Sequence, residues 1–158
     1  MNNNLTLRKA VITDVKTIHQ FLLEASAEGL LLPRPLSDLY NHVREFFVFD
    51  DRTNGWIAGC SALSVIWEDI AEVRSLFVRK DCRKQGLGDK LVEACIEEAA
   101  SFGLNKIFTL TYQEDFFSQA GFKVIKKEVL PNKIWADCIN CAKFPDCDEI
   151  AMLRELNK

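Results

Sequence analysis

A basic, glycine-bearing loop between a strand and a helix constrains this chain more than any other feature. Arg83-Lys84-Gln85-Gly86-Leu87-Gly88 follows the stretch Ala71 to Val78, which reads as a strand. It opens Leu87 to Phe102, where Leu91, Ala94, Cys95 and Ala99 recur at helical spacing and Gly103 supplies the stop at C′. Glycines there let the backbone fold tightly and present successive N–H groups. With the helix dipole, these favour a phosphate. The spacing Arg-x-x-Gly-x-Gly is neither the Gly-x-x-x-x-Gly-Lys-Ser/Thr of nucleotide triphosphatases nor the dinucleotide Gly-x-Gly-x-x-Gly. A loop that merely starts a helix could carry the same residues, so its meaning depends on the rest of the chain.

The remaining patterning is that of one mixed domain over residues 1–158. Leu5 to Lys9 alternates like a short strand. Thr13 reads as an N-cap, followed by Val15, Ile18, Phe21, Leu22 and Ala25 at helical spacing up to Gly29. Pro33 and Pro35 interrupt the chain before Ser37 caps a second, shorter helix. Phe46–Phe49 and Trp56–Ile66 flank turn residues and read as a hairpin. Lys106–Leu110 is a predicted strand, Glu114–Ala120 a short helix, Phe122–Lys127 a strand and Glu149–Leu156 a last strand. The order β-α-α-β-β-β-α-β-α-β-β suits a central mixed sheet with helices on both faces.

Composition removes several classes. The formal net charge is −3 and the basic residues are scattered, so there is no basic stripe for nucleic acid. No apolar run is long enough to cross a bilayer, and the N-terminus lacks a signal-peptide core. A cytoplasmic protein with reduced cysteines is expected.

Beyond the loop itself, Glu72-Val-Arg-Ser-Leu-Phe-Val78, the phosphate-loop pattern, the helix after it and Phe116-Phe117-x-x-x-Gly121-Phe122 resemble the GNAT superfamily of N-acetyltransferases in spacing and order. The resemblance implies an α/β (α+β) fold with a twisted, mostly antiparallel sheet of six to seven strands, and acetyl-CoA as cosubstrate with no metal required. Leu31-Leu32-Pro33-Arg34, Trp67 to Arg74 and Lys133 to Cys138 are similar to stand-alone bacterial N-acetylglutamate synthases. That narrower resemblance implies acetylation of glutamate or glutamine, a small-molecule amino-acid substrate, and the entry step to arginine.

By the same resemblance, main-chain groups of Leu76, Phe77 and Val78 meet the pantetheine arm and the thioester. Amides of Arg83, Lys84, Gln85, Gly86, Leu87 and Gly88 hold the pyrophosphate. Arg83 and Lys84 either add charge there or form a solvated basic loop. Glu72 is the candidate general base, with a structural pairing to Arg74 as the alternative, since strand alternation puts both on one face. Many GNAT enzymes carry a tyrosine at the position of Phe117. Its absence leaves Thr111, Tyr112 or Ser118 to protonate the thiolate, or a thiolate that leaves unaided. Arg34, Arg74 and Lys133 are candidates for carboxylate binding, with a surface position as the alternative for Arg34 and an exposed lysine for Lys133. His19 and His42 read as surface or packing residues.

Cys138, Cys141 and Cys147 form an incomplete ligand set that fits a reduced packing loop, a zinc site with a fourth ligand such as Asp148, or a redox pair. A homodimer through the sheet ends is compatible with the pattern but not demanded by it. Two other functions remain open at this point: acetylation of a polyamine, aminoglycoside or peptide N-terminus, and acetyl-CoA sensing without turnover.

Overall fold

The patterning translates into seven strands and four α-helices among the described residues, which are 5–131 and 149–156 of the computed structural model. The strands are β1 (Leu5–Lys9), β2 (Phe46–Asp51), β3 (Trp56–Trp67), β4 (Ile70–Val78), β5 (Lys106–Thr111), β6 (Lys123–Val124) and β7 (Ile150–Glu155). The helices are α1 (Val15–Ala27), α2 (Leu36–Asn41), α3 (Leu87–Ser101) and α4 (Glu114–Gln119). All strands join one sheet in the order β1-β2-β3-β4-β5-β7-β6. Every neighbouring pair is antiparallel except β4 and β5.

Both long helices end as their glycines predict. Gly29 and Gly103 take left-handed backbone (φ +75° and +83°). Leu30 N–H then donates to the Ala25 carbonyl at 3.0 Å, and Leu104 N–H to that of Ala99 at 3.1 Å. The helix starts differ from expectation. A 3-10 turn begins at Ile12, and Asp14, not Thr13, satisfies the chain there by accepting from Val11 N–H at 2.8 Å. Asp14 does so because Arg8 holds its carboxylate from two nitrogens, at 2.8 and 3.1 Å, and bridges to Asp50 at 2.9 Å. Likewise α2 starts at Leu36 behind Pro35, placing Ser37 inside the first turn rather than at the cap. The strand expected over Phe122–Lys127 shortens to two residues, and Phe122 instead sits in the core against Phe117.

The sheet buries both faces. On one, α3 and α4 cover Leu63, Ala71, Val73, Ile107 and Met152 with Val92, Cys95, Ala99 and Phe117. On the other, α1 and α2 cover Phe46, Val48, Cys60, Ala62 and Phe77 with Ile18, Phe21, Leu22 and Leu39. Sequestering these apolar side chains is the main stabilising term.

Two irregularities interrupt β4. Its parallel ladder with β5 runs only through Ile70↔Lys106, Ala71↔Ile107 and Glu72↔Phe108. Beyond that point the strands part, and the buried Thr109 hydroxyl takes over the Val73 carbonyl at 2.9 Å. The second irregularity is a bulge: Cys60 pairs with Phe77 but Ala62 pairs with Arg74, so Ser75 and Leu76 face one residue of β3. Ser75 adopts φ +59° to make it. The extra residue reverses the alternation. Val73 faces α3 and Arg74 the opposite side, yet after the bulge Phe77 packs with α1 while Leu76 and Val78 join Leu87 and Leu91 of α3.

Candidate active site

A cleft of about 390 Å³ opens where β4 and β5 have parted. Its walls are Leu76, Phe77 and Val78 of β4, Arg83, Lys84 and Gly86 of the loop, Leu87, Gly88 and Asp89 of α3, Gln113 and Phe116 beside α4, and Leu30. Eight of the nine residues expected at the cofactor are therefore brought together; Gln85, the ninth, is half-buried in the same loop, with a side-chain oxygen that has no partner.

Local chemistry explains this wall. Gly86 holds φ +80° at the start of α3, where no side chain caps the helix, so first-turn N–H groups point to the cleft side uncapped. Gly88 allows close packing, since a Cβ there would stand 3.3 Å from the Phe116 ring. Arg83 is committed to structure: Nε donates to the Val78 carbonyl at 2.7 Å, Nη2 pairs with Glu28 at 3.2 Å, and the guanidinium lies 5.2 Å from the Phe77 ring centre. It ties loop, β4 and α1 into one wall. Lys84, also in left-handed backbone (φ +67°), is exposed.

The second part of the site lies on the α1–α2 face of β4, before the bulge. Glu72 is 8% exposed and its Oε1 accepts from Arg74 Nη2 at 2.7 Å. Arg34 reaches the same region from the loop between α1 and α2. Its Nε donates to Asp38 at 2.7 Å, its Nη1 to Ser75 Oγ at 2.9 Å, and its buried Nη2 has no partner among the described residues. Burial works against the Asp38 charge, but Arg34 outweighs it and holds the carboxyl below its ordinary range. His42 pairs with Asp38 Oδ1 at 2.9 Å, so its role is local to α2. Glu45 faces Ser64, His42, Arg74 and Arg34; burial outweighs these cations and pushes its carboxyl up. Asp38 and Glu45 belong to no motif that marks them in the sequence, and Ser75 lies inside the Glu72 to Val78 motif without being singled out by it. The one-turn spacing of Arg34 and Asp38 is the one local signal available; Ser75 and Glu45 reach the site only through the tertiary fold.

At the other side of the gap, Thr111 ends β5 and is buried, its hydroxyl oxygen accepting from Gln113 N–H at 2.8 Å. Tyr112 is half-buried. Phe117 is 3% exposed and stacked edge-on with Phe116 and Phe122, so that position is committed to the core. Lys133, Cys138, Cys141 and Cys147 lie outside the described residues. Among the described residues no group of three or more His, Cys, Asp or Glu is placed to hold a metal, and no helix is long and apolar enough to cross a membrane.

The profile of the Acetyltransferase (GNAT) family matches residues 15–122. The chain belongs to the GNAT family. An uncharacterized N-acetyltransferase of Chlorobaculum tepidum is 39% identical over 95% of the chain and 96% of its own length. An amino-acid acetyltransferase of Mycobacterium tuberculosis is 34% identical over 76% of the chain and 69% of its own. In fold, the N-acetylglutamate synthase of Neisseria gonorrhoeae, solved with coenzyme A and N-acetyl-glutamate, superposes with a TM-score of 0.84 at 23% identity. That likeness covers 98% of the chain but 35% of the larger synthase. The donor for this GNAT enzyme is acetyl-CoA.

Proposed function

We propose that this protein transfers the acetyl group of acetyl-CoA to the α-amino group of L-glutamate, or of L-glutamine, by direct attack in a ternary complex. The observation that carries the reading is Arg34. It is fixed by Asp38 and Ser75 beside the β4 bulge, and its Nη2 is left to receive an anion. A polyamine would offer that nitrogen no anion. The amino-acid acetyltransferase among the relatives and the gonococcal synthase that binds N-acetyl-glutamate support the same choice. On this reading the enzyme acts in the cytoplasm at the entry to arginine biosynthesis.

The cleft residues take named parts. Amides of the loop and of the first turn of α3 hold the pyrophosphate, and main-chain groups of Leu76 to Val78 orient the thioester, one N–H stabilising the oxyanion. The α-ammonium first loses a proton to Glu72, through a water because Oε1 is engaged with Arg74. The amine nitrogen then forms a bond to the thioester carbon, the C–S bond breaks, and the electron pair leaves with the CoA sulfur. The second nitrogen proton is lost as the amide forms and is relayed to the thiolate through the hydroxyl of Thr111, whose hydrogen is not used by its contact with Gln113, or of Tyr112, which gives one proton as it takes up the other. Holding both substrates in line contributes more than either proton transfer. Arg74 and Lys133 complete the carboxylate site.

The test is release of free CoA from acetyl-CoA with L-glutamate, L-glutamine or spermidine as separate acceptors. Release with the amino acids alone supports the proposal, and Arg34→Ala should then raise the amino-acid KM about 10- to 100-fold. Release only with spermidine overturns it. Tight acetyl-CoA binding with no release would favour a non-catalytic sensor.

A further inference from the structure

Among the described residues, the buried side-chain atoms left without a partner on the acceptor face include two that belong to groups of opposite charge. One is Arg34 Nη2, a donor; the other is Glu45 Oε1, an acceptor. Buried polar atoms in folded proteins nearly always find a partner, so an orphan at a site needs an account, and a missing ligand is the simplest. The fold brings the two groups together. Glu45 ends the 3-10 turn Val43–Glu45 that feeds β2, and its neighbour Phe46 lies under the Arg34 guanidinium, 5.5 Å from ring centre to Cζ. Phe46 pairs with Ala62 and Ala62 with Arg74, so Glu45 stands at the head of the row that crosses β2, β3 and β4.

The neighbouring carboxylates are differently placed. Asp38 is held by Arg34 Nε and by His42, and Glu72 Oε1 by Arg74. Of the three, Glu45 is the one with a buried oxygen that nothing engages. The groups that act on it are His42 at the end of α2, Arg34 of the preceding loop, Arg74 of β4, and Ser64 of β3, which hydrogen-bonds its carboxyl. A ligand that meets both orphans must offer an anionic acceptor to Arg34 and a donor to Glu45. An α-amino acid carries such a pair on one carbon.

We propose that Glu45 is a specificity-determining residue whose free oxygen receives the α-ammonium of the acceptor while Arg34 Nη2 receives a carboxylate oxygen. This rests on the amino-acid reading above. It adds a group that reads the zwitterion rather than the acid alone. The upward push on the Glu45 carboxyl fits, because burial outweighs its present partners and an arriving ammonium would offset that cost. Glu45 is not asked to be the base; it orients the nitrogen before proton loss.

Glutarate is glutamate without the amine, and it separates the two roles. Competition against L-glutamate should show the wild type preferring glutamate over glutarate by about tenfold or more, the usual worth of a hydrogen bond to a charged group. In Glu45→Gln that preference should fall to within about threefold, with CoA affinity unchanged. The variant should also melt no lower than wild type at pH 7, because a carboxyl whose pKa is raised by folding costs stability once ionised. Undiminished glutamate preference in Glu45→Gln, with wild-type turnover intact, overturns the assignment of Glu45 alone. A wild type that acetylates no α-amino acid brings down the acceptor reading itself. If Glu45→Gln loses CoA binding, Glu45→Asp decides: it keeps the charge, so retained glutamate preference supports the assignment and its loss overturns it.

Discussion

Gly59 gives the sharpest test of how the cofactor wall is held. It lies on β3 opposite the end of β4, pairing with Val78, and a Cβ built on it would stand 2.7 Å from the Phe77 carbonyl oxygen. It would also meet Val78 Cα at 3.3 Å and Leu91 Cδ1 at 3.4 Å. Carbon-to-oxygen contacts relax at about 3.3 Å, so Gly59→Ala must push the strands apart by roughly 0.6 Å. Two effects compete. Replacing glycine inside a strand removes unfolded-state freedom and is worth about 0.5–1 kcal/mol in favour of alanine. Overpacking against backbone, which cannot swing aside, costs about 1–3 kcal/mol. A 2.7 Å contact with a backbone oxygen puts the cost in the upper half of that range, about 2–3 kcal/mol, so the second wins and leaves a net loss of about 1–2.5 kcal/mol.

For a chain of this size that is a fall in Tm of roughly 2–10 °C. The displaced atoms belong to Phe77 and Val78, which line the cleft, so CoA should bind about three- to tenfold more weakly. Thermal unfolding and calorimetric titration with CoA measure both. Gly55→Ala is the control. That glycine, unlike Gly59, has a left-handed backbone (φ +73°) and nothing within 4 Å of its Cβ, so it should lose stability through strain while keeping CoA affinity. A Gly59→Ala protein that melts at or above wild type and binds CoA equally well would refute the idea that this close approach fixes the β4 end.

Asp14→Asn should lower stability at pH 7 by about 1–3 kcal/mol, since it unpairs Arg8 at a buried junction. Burial opposes the Asp14 charge, but Arg8 and Val11 N–H hold the carboxyl below its ordinary range. Its stabilisation is therefore present above the unfolded pKa of about 4 and is lost as pH falls through the lower folded value, so Tm against pH below 5 should be flatter in the variant. Burial pushes the Cys60 and Cys95 thiols up to about 12, so iodoacetamide at pH 8 should leave both unmodified in the native protein and alkylate them after denaturation, read by peptide mass spectrometry.

The sequence is most legible where the physics is local. Gly29 and Gly103 stop their helices because left-handed backbone there is a property of one residue. Alternation correctly puts Glu72 and Arg74 on one face, since both precede the bulge. It would misplace Leu76 and Phe77, because no residue pattern announces an extra residue between Arg74 and Phe77. The Thr13 cap does not form for a related reason. Asp14 is recruited by Arg8 and Asp50, and Asp50 is 42 residues from Arg8. The loop 83–88 is marked by its glycines, but Arg83 reads in sequence as a charge for phosphate, whereas its Nε and Nη2 are taken by Val78 and Glu28. Glu45 carries no signal at all, since its environment is assembled from β3, β4 and the α1–α2 loop.

Ser75 couples the two halves of the site. A non-glycine residue at φ +59° carries a cost of about 1–2 kcal/mol, which glycine would avoid. Glycine, however, has no hydroxyl, and the Ser75 hydroxyl is what takes Arg34 Nη1 at 2.9 Å. Its carbonyl is engaged too, accepting from the Cys60 thiol at 3.4 Å. The strained residue is thus held from β3 on one side and from the α1–α2 loop on the other. The bulge it creates turns Leu76 toward the cofactor cleft while leaving Arg74 on the acceptor face. Arg34, proposed for the amino acid, and the strand end, proposed for the thioester, are therefore positioned by the consecutive residues Ser75 and Leu76. On the proposed assignment of the two sites, a shift of β4 at this point would displace both substrates together and so tie acceptor binding to the geometry of the donor site.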